Sequence, residues 1–211
     1  MFNASDFINS NISQVEKQYI IGAAHQACEL SYSIVNDLSL SKKILQKREI
    51  NNLKNLIFEA LLKDLSDTGA IGFKYLDKTN KNKSYEYGLL YNDNLKFTVS
   101  RVLTRFNIPK TAKFREALAN ESLKINLFPE LEKNYQGKRY GILTYCSEYD
   151  KLKFMSFGIP ERNCKKWLQD PVSFYSREDW AVIKKAENTE LEKKMPNIKK
   201  SKITKFIIDR I

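Results

Sequence analysis

Apolar residues recur at three- and four-residue steps through the first third of the chain and at two-residue steps after it. Ile12, Val15, Tyr19, Ala23, Ala27, Leu30, Ile34 and Leu38 form one stripe, which predicts an amphipathic helix over 13–37. Ser13-Gln14-Val15-Glu16 precedes it as a capping box, the hydroxyl accepting from a free N–H while the carboxylate reaches back. A second helix is expected from Ser41, with Ile50, Leu53, Ile57, Leu61 and Leu65 on one face and Gly69 as its C-terminal glycine. The short link from Asp37 to Ser41 makes the two an antiparallel hairpin.

From Gly69 the period becomes two. Ile71, Phe73 and Tyr75 alternate with polar or small neighbours, and a Lys/Asn-rich loop runs from Asp77 to Ser84. Strands over 85–91 and 95–103 flank Asn92-Asp93-Asn94, and strands over 138–146 and 152–159 flank a charged turn, so two β-hairpins are expected. They share a pattern. Tyr87-Gly88-Leu89-Leu90 leads to Leu95-Lys96-Phe97, and Tyr140-Gly141-Ile142-Leu143 leads to Leu152-Lys153-Phe154. A glycine inside a strand marks a bulge or a close approach. Between the hairpins Thr111 caps a short helix carrying Phe114, Ala117 and Leu118. Pro160 and Pro171 bracket another short helix, with Cys164, Trp167 and Leu168 inward and Arg162, Lys165, Lys166 and Gln169 outward. Ser176 and Asp179 open a last helix to about Met195, which Pro196 closes. A charged connector and the apolar Ile203, Phe206, Ile207, Ile208 and Ile211 follow.

The expected fold is α+β: an N-terminal helical hairpin (1–68), a mainly antiparallel sheet of two similar hairpins (69–159) and a basic helical C-terminal segment (160–211), all in one domain. A hydrophobic content of 42% with 12% aromatics suits a folded core. The first six residues have neither a basic nor an apolar signal region, no apolar run reaches the length of a spanning helix, and the three cysteines show no paired spacing. A cytoplasmic protein of a reducing compartment is the expectation, with no membrane association.

Charge adds a direction. The net +11 rests on 36 basic residues, only eight of them Arg, a Lys bias that a low-GC genome produces without functional demand. Yet residues 1–40 carry Lys17 against Asp6, Glu16, Glu29 and Asp37, whereas residues 151–211 carry fifteen basic residues against eight acidic ones. A polyanion would be met in the C-terminal half.

Catalytic machinery is sparse. The one histidine, His25, lies among Ala23, Ala24, Ala27 and Cys28, a setting for a packed structural imidazole. Cys28 follows at i+3 but has no helix end to activate it. No cofactor is expected, because none of the seven glycines builds a phosphate loop, and no metal is expected with one His and no paired Cys. Glu148, Asp150 and Lys151 are the nearest approach to a carboxylate site for Mg²⁺, set in a turn where solvated charge is ordinary. The segment from Lys138 to Tyr145 partly follows the strand pattern of RNA-recognition modules, departing at Arg139, where glycine is wanted, and at Ile142, where an aromatic is wanted. We read this as convergence between strands.

The sequence therefore predicts a non-enzymatic binding protein. Nucleic acid is the first partner class, met by Lys138, Arg139, Tyr140, Arg162, Lys165 and Lys166 as a basic platform with exposed tyrosines. A protein-binding adaptor or inhibitor, of the kind phages and mobile elements encode, is the alternative. A metal-dependent nuclease is the third reading.

Overall fold

The computed structural model describes residues 2–37, 43–80, 85–122 and 138–176. The helix expected to open at the Ser176 and Asp179 capping box and run to about Met195 lies beyond Ser176, outside the described residues, as do the charged connector, the apolar tail and the link at 38–42. What is described is an α+β fold of four helices and a six-stranded, mostly antiparallel sheet.

The chain opens with a helix that periodicity did not flag. In α1 (Ala4–Asn11) the Asn3 side chain accepts from the amides of Ser5 and Asp6, and Ala4 and Ile8 are buried. Its C-cap, Ile12, adopts an extended conformation and ends the helix, and only Ile12 and Ser13 separate it from the next. The capping box forms as expected at the start of α2 (Gln14–Asp37): Glu16 N–H donates to Ser13 Oγ at 3.3 Å, and Ser13 N–H donates to Glu16 Oε2 at 2.8 Å. The other oxygen of Glu16 accepts from Gly72 N–H at 2.7 Å, so the cap also ties the helix to the chain 56 residues on. α3 (Lys43–Asp67) ends as Gly69 requires, with φ +71° and the amides of Gly69 and Ala70 returning to the carbonyls of Ser66 and Leu65.

The strands are β1 (Lys74–Thr79), β2 (Glu86–Tyr91), β3 (Leu95–Arg101), β4 (Arg139–Glu148), β5 (Lys151–Gly158) and β6 (Val172–Ser176), and they lie in that order across the sheet. All neighbours are antiparallel except β3 and β4, which pair in parallel from Leu95↔Arg139 to Arg101↔Tyr145. The two expected hairpins thus stand side by side, joined by a long crossover that carries α4 (Lys113–Ser122), as a parallel pair demands.

Two layers cover the sheet. On the first face, α2 and α3 pack on each other and on Leu90, Leu95, Phe97, Leu143, Tyr145, Leu152, Met155 and Phe157. On the second, Leu118 and Ala119 of α4, together with Cys164, cover Tyr87, Leu89, Tyr140 and Ile142.

The matched glycines explain part of the shared pattern. Both face the helices, and each receives an aromatic ring from the antiparallel neighbour. A Cβ on Gly88 would lie 2.4 Å from the Tyr75 side chain, and one on Gly141 would lie 2.3 Å from the Phe157 ring. In each case the ring's residue pairs with the leucine two positions after the glycine, Tyr75 with Leu90 and Phe157 with Leu143. The likeness stops at the second strands. Lys96 is fully buried against Glu121 at 3.0 Å, while the matching Lys153 is exposed and pairs with Glu148 at 2.8 Å.

Two local expectations are corrected. Residues 160–168 form a tight hairpin-like loop instead of a helix: Leu168 N–H donates to Ile159 O at 2.8 Å, Glu161 N–H donates to Lys166 O at 3.0 Å, and Pro160 pairs with Trp167. Cys164 sits in the left-handed region at φ 51°, which no α-helix admits, and its buried thiol is held in the second core. A helix of under three turns between the two prolines gains too little to outweigh that packing. β6 is an additional strand, with Val172, Phe174 and Tyr175 supplying β-forming side chains immediately after Pro171.

Candidate functional site

The residues expected to meet a polyanion divide by burial. The register Ile142↔Gly158 puts the start of β4 and the end of β5 at one end of the sheet, so Lys138, Arg139 and the 160–168 loop share that end. Lys138 is half-buried; its ammonium donates to Asn92 O on the β2–β3 turn and stands 3.9 Å from Asp93. Arg139 lies with its guanidinium carbon 3.9 Å from the Phe2 ring centre and 5.7 Å from that of Phe7, and burial lowers its pKa. These two hold the N-terminal helix and a turn in place. Tyr140 is 1% exposed and shares a 2.6 Å hydrogen bond with Thr98, so its ring is core and leaves no face for a base. Tyr145, on the opposite face of the same strand, is buried as well. The partial likeness of β4 to an RNA-recognition strand therefore carries no stacking surface.

Arg162, Lys165 and Lys166 are exposed together on the loop. The turn that presents them is fixed by its own bonds: Cys164 N–H donates to Glu161 O at 2.9 Å and Lys165 N–H to Asn163 Oδ1 at 3.0 Å. Trp167 anchors the base of the loop. Its ring covers Gly158, and its indole N–H donates to Phe106 O at 2.9 Å, joining the loop to the segment that follows β3. That segment exposes two apolar side chains, Leu103 at 73% and Phe106 at 62%, and Leu168 beside Trp167 is 41% exposed. The sequence reading missed Phe106 because a lone aromatic after a strand has no period to mark it.

A second cluster with chemical potential is buried between α2, α3 and the β4–β5 turn. Lys54 is 1% exposed, and its ammonium donates to Ser147 Oγ at 3.0 Å and to Tyr149 O. The buried thiol of Cys28 lies close enough to Ser147 and Lys54 for both to oppose the effect of its burial. Desolvation raises the pKa of Cys28, which disfavours its thiolate, and lowers that of Lys54, whose amine is enclosed by the fold. His25 points elsewhere, edge-on to Tyr175 with ring centres 5.0 Å apart. Of the nuclease candidates, Glu148 pairs with Lys153, and no group of three or more His, Cys, Asp or Glu positioned to hold a metal ion occurs among the described residues.

Strand register also aligns a row of hydroxyls on the second face: Ser100, Thr144, Ser156 and Ser173 on four successive strands. Arg115 Nη2 donates to Ser100 Oγ at 3.2 Å, and Thr144 Oγ1 donates to Ser156 O at 3.1 Å. The buried Oγ atoms of Ser156 and Ser173 have no hydrogen-bond partner among the described residues. A buried hydroxyl without a partner costs about 1–3 kcal/mol. Ser156→Ala should therefore stabilise the protein by about 1 kcal/mol, raising the melting temperature by roughly 2–4 °C. A lower melting temperature would show that this hydroxyl has a partner.

No helix among the described residues is long and apolar enough to cross a membrane. Comparison of the chain with protein-family models, with curated proteins and with solved structures finds no match.

Proposed function

We propose that the chain is a non-enzymatic binding protein that associates with nucleic acid through the 160–168 loop. The observation that carries this reading is the shared exposure of Arg162, Lys165 and Lys166 on one internally bonded loop, in the half of the chain where positive charge is concentrated. Fixed cations meet phosphates without losing the freedom of a mobile chain, and each contact formed releases counterions. Lys138 and Arg139 contribute field from the same end of the sheet while their side chains serve the fold.

Reversing Arg162, Lys165 and Lys166 to Glu tests it. With an oligonucleotide probe followed by fluorescence anisotropy between 50 and 200 mM salt, the triple variant should bind much more weakly. The slope of log K against log salt should flatten by about 2–3, since each lost contact removes about 0.7–0.9. Unchanged affinity and slope would identify the loop as ordinary solvated surface.

A protein-binding role is the second reading, favoured by the exposed Leu103, Phe106 and Leu168. A complex held by those side chains would survive high salt and tolerate the charge reversal.

A further inference from the structure

We infer that the nucleic acid this surface takes is single-stranded, with Phe106 stacking on a base while the neighbouring cations hold the backbone. The inference rests on the proposed nucleic-acid reading and names the form of the ligand.

Phe106 is a large aromatic left 62% exposed on a turn closed by Asn107 N–H donating to Thr104 O at 3.2 Å. The turn is fastened to the basic loop by the 2.9 Å bond from the Trp167 indole to Phe106 O, so the segment that carries the ring adjoins the loop that carries the exposed Arg162, Lys165 and Lys166. Arg105, on the same turn, places its guanidinium carbon 5.8 Å from the Phe106 ring centre. A cation beside an exposed ring, next to further cations, provides both halves of single-strand binding: an aromatic face for a base and charge for the phosphates on either side. Duplex DNA offers the phosphates but keeps its base faces stacked inside the helix, so the ring has nothing to meet there. An acidic protein segment could satisfy the cations, yet the planar ring and guanidinium together match a base more closely than an aliphatic side chain.

The experiment uses the intact chain and two probes of equal length, a homopyrimidine single strand and a duplex, each titrated by anisotropy. The wild-type protein should prefer the single strand. Phe106→Ala should weaken single-strand binding by about 5- to 100-fold, the range of one lost base stack, while leaving the duplex affinity and the salt slope unchanged. Phe106→Trp should restore the preference. Because the side chain is exposed, both variants should melt with the wild type. Equal affinity for the two probes, with Phe106→Ala without effect, would overturn this inference and leave the nucleic-acid reading standing. Absence of binding to both probes would overturn the two together.

Discussion

Phe157→Ala should destabilise the protein by about 3–5 kcal/mol, the cost of emptying a fully enclosed aromatic site. The Phe157 ring is buried in the helix-facing core. It meets Phe97 edge-on with centres 5.3 Å apart and stacks on Phe174 at 5.6 Å. Its third support is Gly141, over which it lies so closely that one added methyl there would be 2.3 Å from the ring. Gly141→Ala should therefore cost about 1–3 kcal/mol by overpacking, although strand backbone ordinarily favours Ala over Gly. The two changes should not add. In the double variant the methyl fills part of the space the ring vacated, so a coupling of about 0.5–3 kcal/mol is expected from urea unfolding of the four proteins. Strict additivity would mean that the ring does not rest on that glycine.

The second large effect concerns Lys54. Lys54→Ala should lose about 2–5 kcal/mol, because the buried four-carbon stem is removed and Ser147 and Tyr149 O lose their donor. Lys54→Met keeps the volume and trades those hydrogen bonds against the cost of desolvating an ammonium. Its stability should fall within about 2 kcal/mol of the wild type at neutral pH. The pH dependence separates the terms. Desolvation, the leading cause, holds the Lys54 pKa below 10.5, with the Arg101 charge acting in the same direction and Cys28 and Asp150 opposing it. Below the folded pKa both states carry the charge and the folded protein bears the whole cost of burying it. As pH rises from there towards 10.5, the unfolded chain binds the proton more strongly than the folded one, so folding gains. The stability of wild type relative to Lys54→Met should therefore increase with pH over that window. Comparison within the pair is essential, since the thiols of Cys28 and Cys164 are pushed up, that of Cys164 to about 11, and work in the opposite sense above pH 9. A difference that stays flat between pH 7 and 10 would mean that Lys54 is solvated.

Local rules identified much of this architecture because the physics behind them is local. A serine three residues before a glutamate caps α2 whatever surrounds it, and a glycine after an apolar stripe ends α3, because both satisfy backbone groups of their own helix. Two-residue alternation located the two hairpins, since one strand face must be buried. Short elements were less legible. α1 has a cap and two turns but no long stripe, and β6 is five residues with serines at two positions. At 160–168 the sequence carries helix punctuation at both ends, yet Trp167 over Gly158 and Cys164 in the second core outweigh it.

Partner faces are the part that pattern reading does not reach. Tyr140 and Phe106 are both aromatics near basic residues in the chain, and only the fold separates them. Tyr140 falls on the sheet face that α4 covers and becomes core, whereas Phe106 lands on a turn that Trp167 holds at the surface. Likewise Lys96 and Lys153 hold matching places in one repeated pattern, and one is enclosed beside Glu121 while the other is in water. The sequence by itself determined the class of the fold, the helix ends and where positive charge accumulates, because these follow from neighbours within a few residues. The parallel joining of the hairpins, the sorting of cations into structural and exposed, and the choice of which ring stays exposed were decided by tertiary structure. Each depends on what a distant segment covers, and burial is a property of the assembled chain.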